Sequence, residues 1–129
     1  MFISYREINR AHRDGFIGMM ENPNNSFSYT PEYSEEDIRY KGEQAVKNYI
    51  KEKMGLCNLV ICLIGNDSHN SPWIDYEMDV AISQQKPIIP VRIPNTSGGL
   101  PPKIRYLPII EWDSKEIQQQ IYRFAGVYF

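Results

Sequence analysis

Residues 59–93 constrain the fold more than any other part of the chain. Six apolar residues, Leu59-Val60-Ile61-Cys62-Leu63-Ile64, run without interruption. A small-polar loop, Gly65-Asn66-Asp67-Ser68-His69-Asn70-Ser71-Pro72, follows them. The amphipathic stretch from Trp73 to Ile82 comes next, and a second apolar run closes the unit at Pro87-Ile88-Ile89-Pro90-Val91-Arg92-Ile93. Strand, helix, strand in this order is a βαβ unit. Ser71 at the N-cap and Pro72 at the first helical position fix where its helix begins.

The flanking segments extend the alternation. Met1-Phe2-Ile3-Ser4 reads as a strand and Tyr5 to Arg10 as a polar loop, and a helix is expected from His12 to Met20 despite Gly15 and Gly18. Glu21-Asn22-Pro23-Asn24-Asn25 breaks the chain, and Ser26-Phe27-Ser28-Tyr29 alternates as a short strand does. Tyr33 to Ile38 has the marks of a helix entry, with Ser34 as cap. Gly42 interrupts, Ala45, Val46, Tyr49, Ile50 and Met54 form a helical stripe, and Gly55 is a natural stop. Beyond the central unit, Pro94 to Pro102 is a loop by composition, with a fragment of helix expected from Lys103 to Tyr106. Leu107 to Trp112 reads as an edge strand, because Pro108 cannot donate to a central ladder. Asp113 or Ser114 caps a last helix whose apolar face is Ile117, Ile121 and Phe124. This order predicts one α/β domain over residues 1–129. The expected architecture is a flavodoxin-like three-layer sandwich, a five-stranded parallel sheet of order 2-1-3-4-5 with helices on both faces. Ligands of such sheets bind beyond the carboxyl ends of the strands, near the switch between strands 1 and 3. The loops at that edge are residues 5–10, 30–34, 65–71 and the one starting at Pro94.

Bulk properties narrow the class. The net charge of −2 argues against a nucleic-acid binder that works by phosphate neutralisation. No apolar run is long enough to span a bilayer and no signal peptide is evident, so the expectation is a cytoplasmic protein without membrane association. Cys57 and Cys62 are read as reduced, buried thiols, and no His, Cys or acidic set has metal-ligand spacing. The start in a strand and the end after a helix fit a single-domain protein or an excised module.

Residue chemistry then separates three functions that share the architecture. A phosphoacceptor receiver needs an acidic pair after strand 1 and a Lys after strand 5. The chain has Ser4-Tyr5-Arg6 and Ile110-Glu111-Trp112 there. A flavodoxin needs a Ser/Thr/Gly cradle after strand 1, and Tyr5-Arg6-Glu7-Ile8 is too bulky and too charged. The third class fits by residue. Phe2-Ile3-Ser4-Tyr5, with Ser68-His69-Asn70-Ser71-Pro72-Trp73-Ile74-Asp75-Tyr76-Glu77, resembles the TIR domain and its pattern S-x-N-S-x-W-x-x-x-E. The short chain and the long Tyr/Glu-rich link before the second helix are most similar to the divergent prokaryotic branch that includes the TIR protein of the Thoeris antiphage system. The resemblance implies an NAD glycohydrolase or ADP-ribosyl cyclase with Glu77 as catalytic carboxylate. NAD is then a substrate, no cofactor is needed, and the product serves as a nucleotide signal to an effector protein. Self-assembly is also implied. The segment around Thr30-Pro31-Glu32-Tyr33 corresponds to the family's gating loop but lacks its Arg-Pro-Gly character.

The residues support this chemistry independently. Trp73 and Glu77 are four apart, hence on one helix face beside the carboxyl edge of the sheet. A carboxylate half-buried against an indole can accept hydrogen bonds from a ribose diol. It can also stabilise the oxocarbenium-like charge that develops when a nicotinamide–ribose bond breaks. Ser4, Tyr5, Arg6, Ser68, Ser71 and Trp73 are the expected substrate-binding residues, with Arg6 and Arg10 suited to a pyrophosphate and Tyr5 to stacking. A Glu in an amphipathic helix is more often simply solvated, and a Trp near a helix start is more often core. His12 and His69 are read as surface residues. The competing function is a non-catalytic TIR-like module that binds a protein or senses a nucleotide on the same surface.

Overall fold

The structure is a computed structural model that describes residues 1–20 and 40–125. Its sheet contains β1 (Phe2–Ser4), β2 (Val60–Ile64) and β3 (Ile88–Arg92), all parallel and in that spatial order. The register places Ser4 beside Cys62 and Cys62 beside Pro90. Among the described residues, α1 (Arg10–Met20), α2 (Glu43–Gly55), α3 (Pro72–Ser83) and α4 (Ser114–Ala125) surround the sheet. Single 3₁₀ turns occupy Glu7–Asn9, Ser68–Asn70 and Pro102–Ile104.

Alternation along the strands divides the core into two layers. Phe2, Val60, Cys62, Ile64 and Ile88 face α2 and α3, where Val46, Ile50, Met54, Ile74, Met78 and Ala81 meet them. Ile3, Leu59, Ile61, Leu63, Ile89 and Val91 face α1 and α4, against Phe16, Met20, Ile117 and Ile121. The unbroken apolar run of β2 follows from this, because all five of its residues are buried between two helical layers.

The described sheet has three strands rather than the five expected. The expected second strand, residues 26–29, and the helix entry at residues 33–38 lie outside the described residues. The expected fifth is reduced to one parallel bridge between Ile110 and Val91. Ile110 N–H donates to the Pro90 carbonyl at 2.8 Å, and Arg92 N–H donates to the Ile110 carbonyl at 2.8 Å. Two prolines stop the ladder there. Pro90 has no N–H to give a residue beside it on that edge, and Pro108, on the same side of its segment as Ile110, has none to give back.

Other boundaries shift for local reasons. The loop after β1 is shorter than expected, because Glu7–Asn9 already turns and α1 starts at Arg10. Gly42 separates α2 from the helical residues before it, at φ 87°, a conformation that suits glycine. Gly55 is the last residue of α2, while Leu56 caps it with ordinary helical geometry. The helix fragment expected at Lys103–Tyr106 is the single turn Pro102–Ile104, whose Ile104 is fully buried. Asp113, not Ser114, caps α4, its Oδ1 accepting from Glu116 N–H at 2.9 Å. Ile117 and Ile121 are buried, but Phe124 is half exposed under the Arg123 guanidinium and does not belong to the apolar face.

Candidate functional site

The site is built where β1, β2 and α3 meet. α3 begins as its sequence requires: Ser71 Oγ accepts from Ile74 N–H at 3.2 Å and Pro72 occupies the first turn. Its buried residues are Ile74, Glu77, Met78, Val80 and Ala81, and all but Val80 form one stripe at helical spacing. Glu77 therefore stands at a core position of the helix and points at the sheet. It is only 2% exposed, so it is buried rather than half-buried. Ser4, the last residue of β1, donates its hydroxyl to Glu77 Oε1 at 2.9 Å. Ser4 and its cross-strand neighbour Cys62 are both fully buried. Burial pushes the Cys62 thiol well above its usual range, the Glu77 charge adds to the shift, and the Ser4 hydroxyl opposes it. The thiol is thus held neutral and is not a nucleophile.

Three loops converge at the carboxyl edge beside this group. Arg6 Nη1 donates to the Asp67 carbonyl at 3.4 Å, which ties the loop after β1 to the loop after β2. Asn9 lies so close to Gly65 that a Cβ there would collide with the Asn9 amide. Ser97 N–H donates to Asn66 Oδ1 at 2.9 Å, and Thr96 Oγ1 donates within reach of both the Ile93 and Ile64 carbonyls. Gly98 packs against the backbone of Gly65 and Asn66 with no room for a side chain.

The sequence-predicted residues fall into different environments. Ser4 and Glu77 are joined directly. Ser68 is buried, and its hydroxyl accepts from Gly65 N–H at 2.9 Å and lies 3.1 Å from the Leu63 carbonyl, to which it donates. That hydroxyl knits the loop together. Ser71 caps α3. Trp73 is partly buried on the core, edge-on to Tyr76 with ring centroids 6.0 Å apart. Tyr5 is partly buried beneath the Arg13 guanidinium, 5.2 Å from the ring centroid. Burial raises the Tyr5 phenol above its usual value, partly offset by Arg13 and Arg10. Arg10 also pairs with Glu7 at 3.5 Å. His69, expected at the surface, is partly buried, and its Nδ1 has no hydrogen-bond partner among the described residues. Sequence reasoning missed Cys62 as a neighbour of the carboxylate. The signal was available, since Ser4 and Cys62 each end or interrupt an apolar strand on the same face.

α3 is also tied to the segment beyond residue 98. Lys103 Nζ lies 3.4 Å from Asp75 Oδ2 and 3.3 Å from Asp79 Oδ1, on the side of α3 away from the sheet. Among the described residues no group of three or more His, Cys, Asp or Glu is arranged to hold a metal ion, and no helix is long and apolar enough to cross a membrane.

No curated protein matches the chain. The family model described as Thoeris protein ThsB, TIR-like domain, matches residues 2–98, a span that holds β1, β2, β3, α3 and the Ser4–Glu77 pair. The chain belongs to the TIR-like domain family of the Thoeris protein ThsB.

Proposed function

We propose that the protein cleaves the nicotinamide–ribose bond of NAD, as a glycohydrolase or ADP-ribosyl cyclase, and that the product is a nucleotide signal in antiphage defence. The observation that carries this reading is a carboxylate at a core position of α3, hydrogen-bonded to the end of β1 at the carboxyl edge of a parallel sheet. Burying a carboxylate is costly, and a packed α/β core does not need one. Family membership supports the defence context. In the proposed reaction NAD is the substrate and no cofactor takes part. Glu77 stabilises positive charge developing on the ribose as nicotinamide departs, and an apolar surround strengthens that interaction. Water, or a second group of the same nucleotide, takes the vacated carbon. Tyr5, Arg6 and Trp73 shape the pocket around the nucleotide, and the protein acts away from nucleic acid and membrane, in the cytoplasm, assembled with copies of itself and read out by an effector.

A second reading has one observation in its favour. Glu77 is 2% exposed, which also suits a TIR-like interaction or nucleotide-sensing module that never presents this carboxylate to a substrate. Concentrated protein incubated with NAD, with free nicotinamide followed by chromatography, separates the two. The expected result is release by the wild type and a loss of about 10²–10³-fold in Glu77→Gln, the range for removing one electrostatic stabiliser. No release across assembly conditions would sink the enzymatic reading, and equal release from both proteins would remove Glu77 from it.

A further inference from the structure

We infer that Ser4 is a positioning residue for Glu77 rather than a contact for the ligand, and that Cys62 is the packing partner that keeps it in place. The catalytic part of this inference rests on the reading of Glu77 as the working carboxylate. A serine hydroxyl has one proton, and that of Ser4 is directed to Glu77 Oε1 at 2.9 Å. Ser4 is fully buried, so its hydroxyl lies inside the sheet–helix layer and not on a surface that a ligand covers. Position 4 shares its strand face with Phe2, in the layer filled by Val60, Ile64, Ile74 and Met78. Packing alone would place an apolar residue there. Serine is small enough to let α3 approach β1 and still brings a donor to the carboxylate. Its cross-strand neighbour Cys62 is also fully buried and closes the side of the pair towards β2.

The consequence concerns ionisation. Burial favours the neutral acid, while a hydrogen bond donated to the carboxylate favours the ion. Ser4 thus opposes the effect of burial on Glu77 and fixes which oxygen is engaged. Loss of its hydroxyl leaves a buried charged oxygen without this donor. The ion is disfavoured, and the pH at which Glu77 ionises rises.

Two measurements on the full chain test this, with NAD as the probe in the first. The pH dependence of kcat/KM for nicotinamide release would be recorded for wild type, Ser4→Ala and Ser4→Thr. In parallel, the Glu77 side-chain carboxyl would be titrated by carbon-13 NMR in the same proteins. Ser4→Ala is expected to move the acid limb and the NMR midpoint upward by about one pH unit or more, the scale of a hydrogen bond to a charged group. KM for NAD should stay nearly constant, and Ser4→Thr, which keeps the hydroxyl, should restore both values. A raised KM with an unmoved acid limb would overturn the inference and make Ser4 a substrate contact. Should the wild type release no nicotinamide, the proposed function falls, yet the NMR titration still decides whether Ser4 sets the ionisation of Glu77. An unmoved midpoint in Ser4→Ala overturns it. If Ser4→Ala does not fold, the nearly isosteric pair Ser4→Thr and Ser4→Val gives the same comparison, because only the first carries a hydroxyl. Cys62→Ala is expected to shift the midpoint in the same direction by less, and a larger shift than that of Ser4→Ala would reverse the assignment of the two residues.

Discussion

The two faces of the sheet are built on different terms. Among the described residues, the buried side chains of the face towards α1 and α4 form an apolar cluster, with Leu59, Ile61, Leu63, Ile89 and Val91 packed on Phe16, Met20, Ile117 and Ile121. The face towards α2 and α3 is as well buried but carries Ser4, Cys62 and Glu77 among its aliphatic side chains. One face is explained by the removal of apolar area from water. The other keeps a carboxylate where a Leu or Met would pack at lower cost. Stability and the proposed chemistry are thereby assigned to opposite sides of the sheet.

Mutations can sharpen or break that division. The largest effect is expected on the apolar face. Leu63→Ala should lower stability by about 2–5 kcal/mol, read by denaturant unfolding, and leave the pH dependence of nicotinamide release unchanged in the folded fraction. A change in that profile would mean that the two faces are coupled. The polar face should respond differently. Ser4→Ala alone should cost about 1–3 kcal/mol, whereas Ser4→Ala combined with Glu77→Met should return to within about 1 kcal/mol of wild type or exceed it. Non-recovery in the double variant would show that the pair itself holds the fold. Ser71→Ala, which removes the cap of α3, should cost about 1 kcal/mol. Smallest in energy but direct in meaning, Cys57 and Cys62 should both resist a thiol reagent in the native protein and react fully in denaturant. Fast native labelling of Cys62 would show that the site layer opens to solvent.

Much of this arrangement was legible in the residues. The apolar run at Leu59 to Ile64, the Ser71-Pro72 start and the helical stripe of α3 are local patterns, and each yields the element it predicts. The order of β1, β2 and β3 follows from the rules of parallel βαβ connections. Long-range pairing was not legible. Ser4 and Glu77 are 73 positions apart, and no local pattern says that one hydroxyl meets one carboxylate. Ser68 was expected to face a ligand because the motif contains it, yet its hydroxyl serves the Gly65 and Leu63 backbone. Such a turn looks the same in sequence whether its serine binds or folds. The half-exposed Phe124 shows the limit of helical spacing near a chain end, where a position on the apolar stripe can run past the surface it would cover. At Leu107 to Trp112 the expected edge strand is a single bridge beside β3, and the effect of a second proline at Pro90 on that ladder depends on which way each residue faces, which is settled only by register.

The pair of prolines has a dynamic consequence. With donors missing at Pro90 and Pro108, the segment that leads into α4 is joined to β3 through the Ile110 and Arg92 amides, plus whatever α4 gains by packing. A strand held by a full ladder opens only with the sheet, but a segment fastened at one residue can open as a separate foldon. In native-state hydrogen exchange, the Ile110 and Arg92 amides should therefore exchange together, and faster than those of β2. Residues 110–125 would then lift from the apolar face as a unit, while Ser4 and Glu77 on the opposite side keep their hydrogen bond.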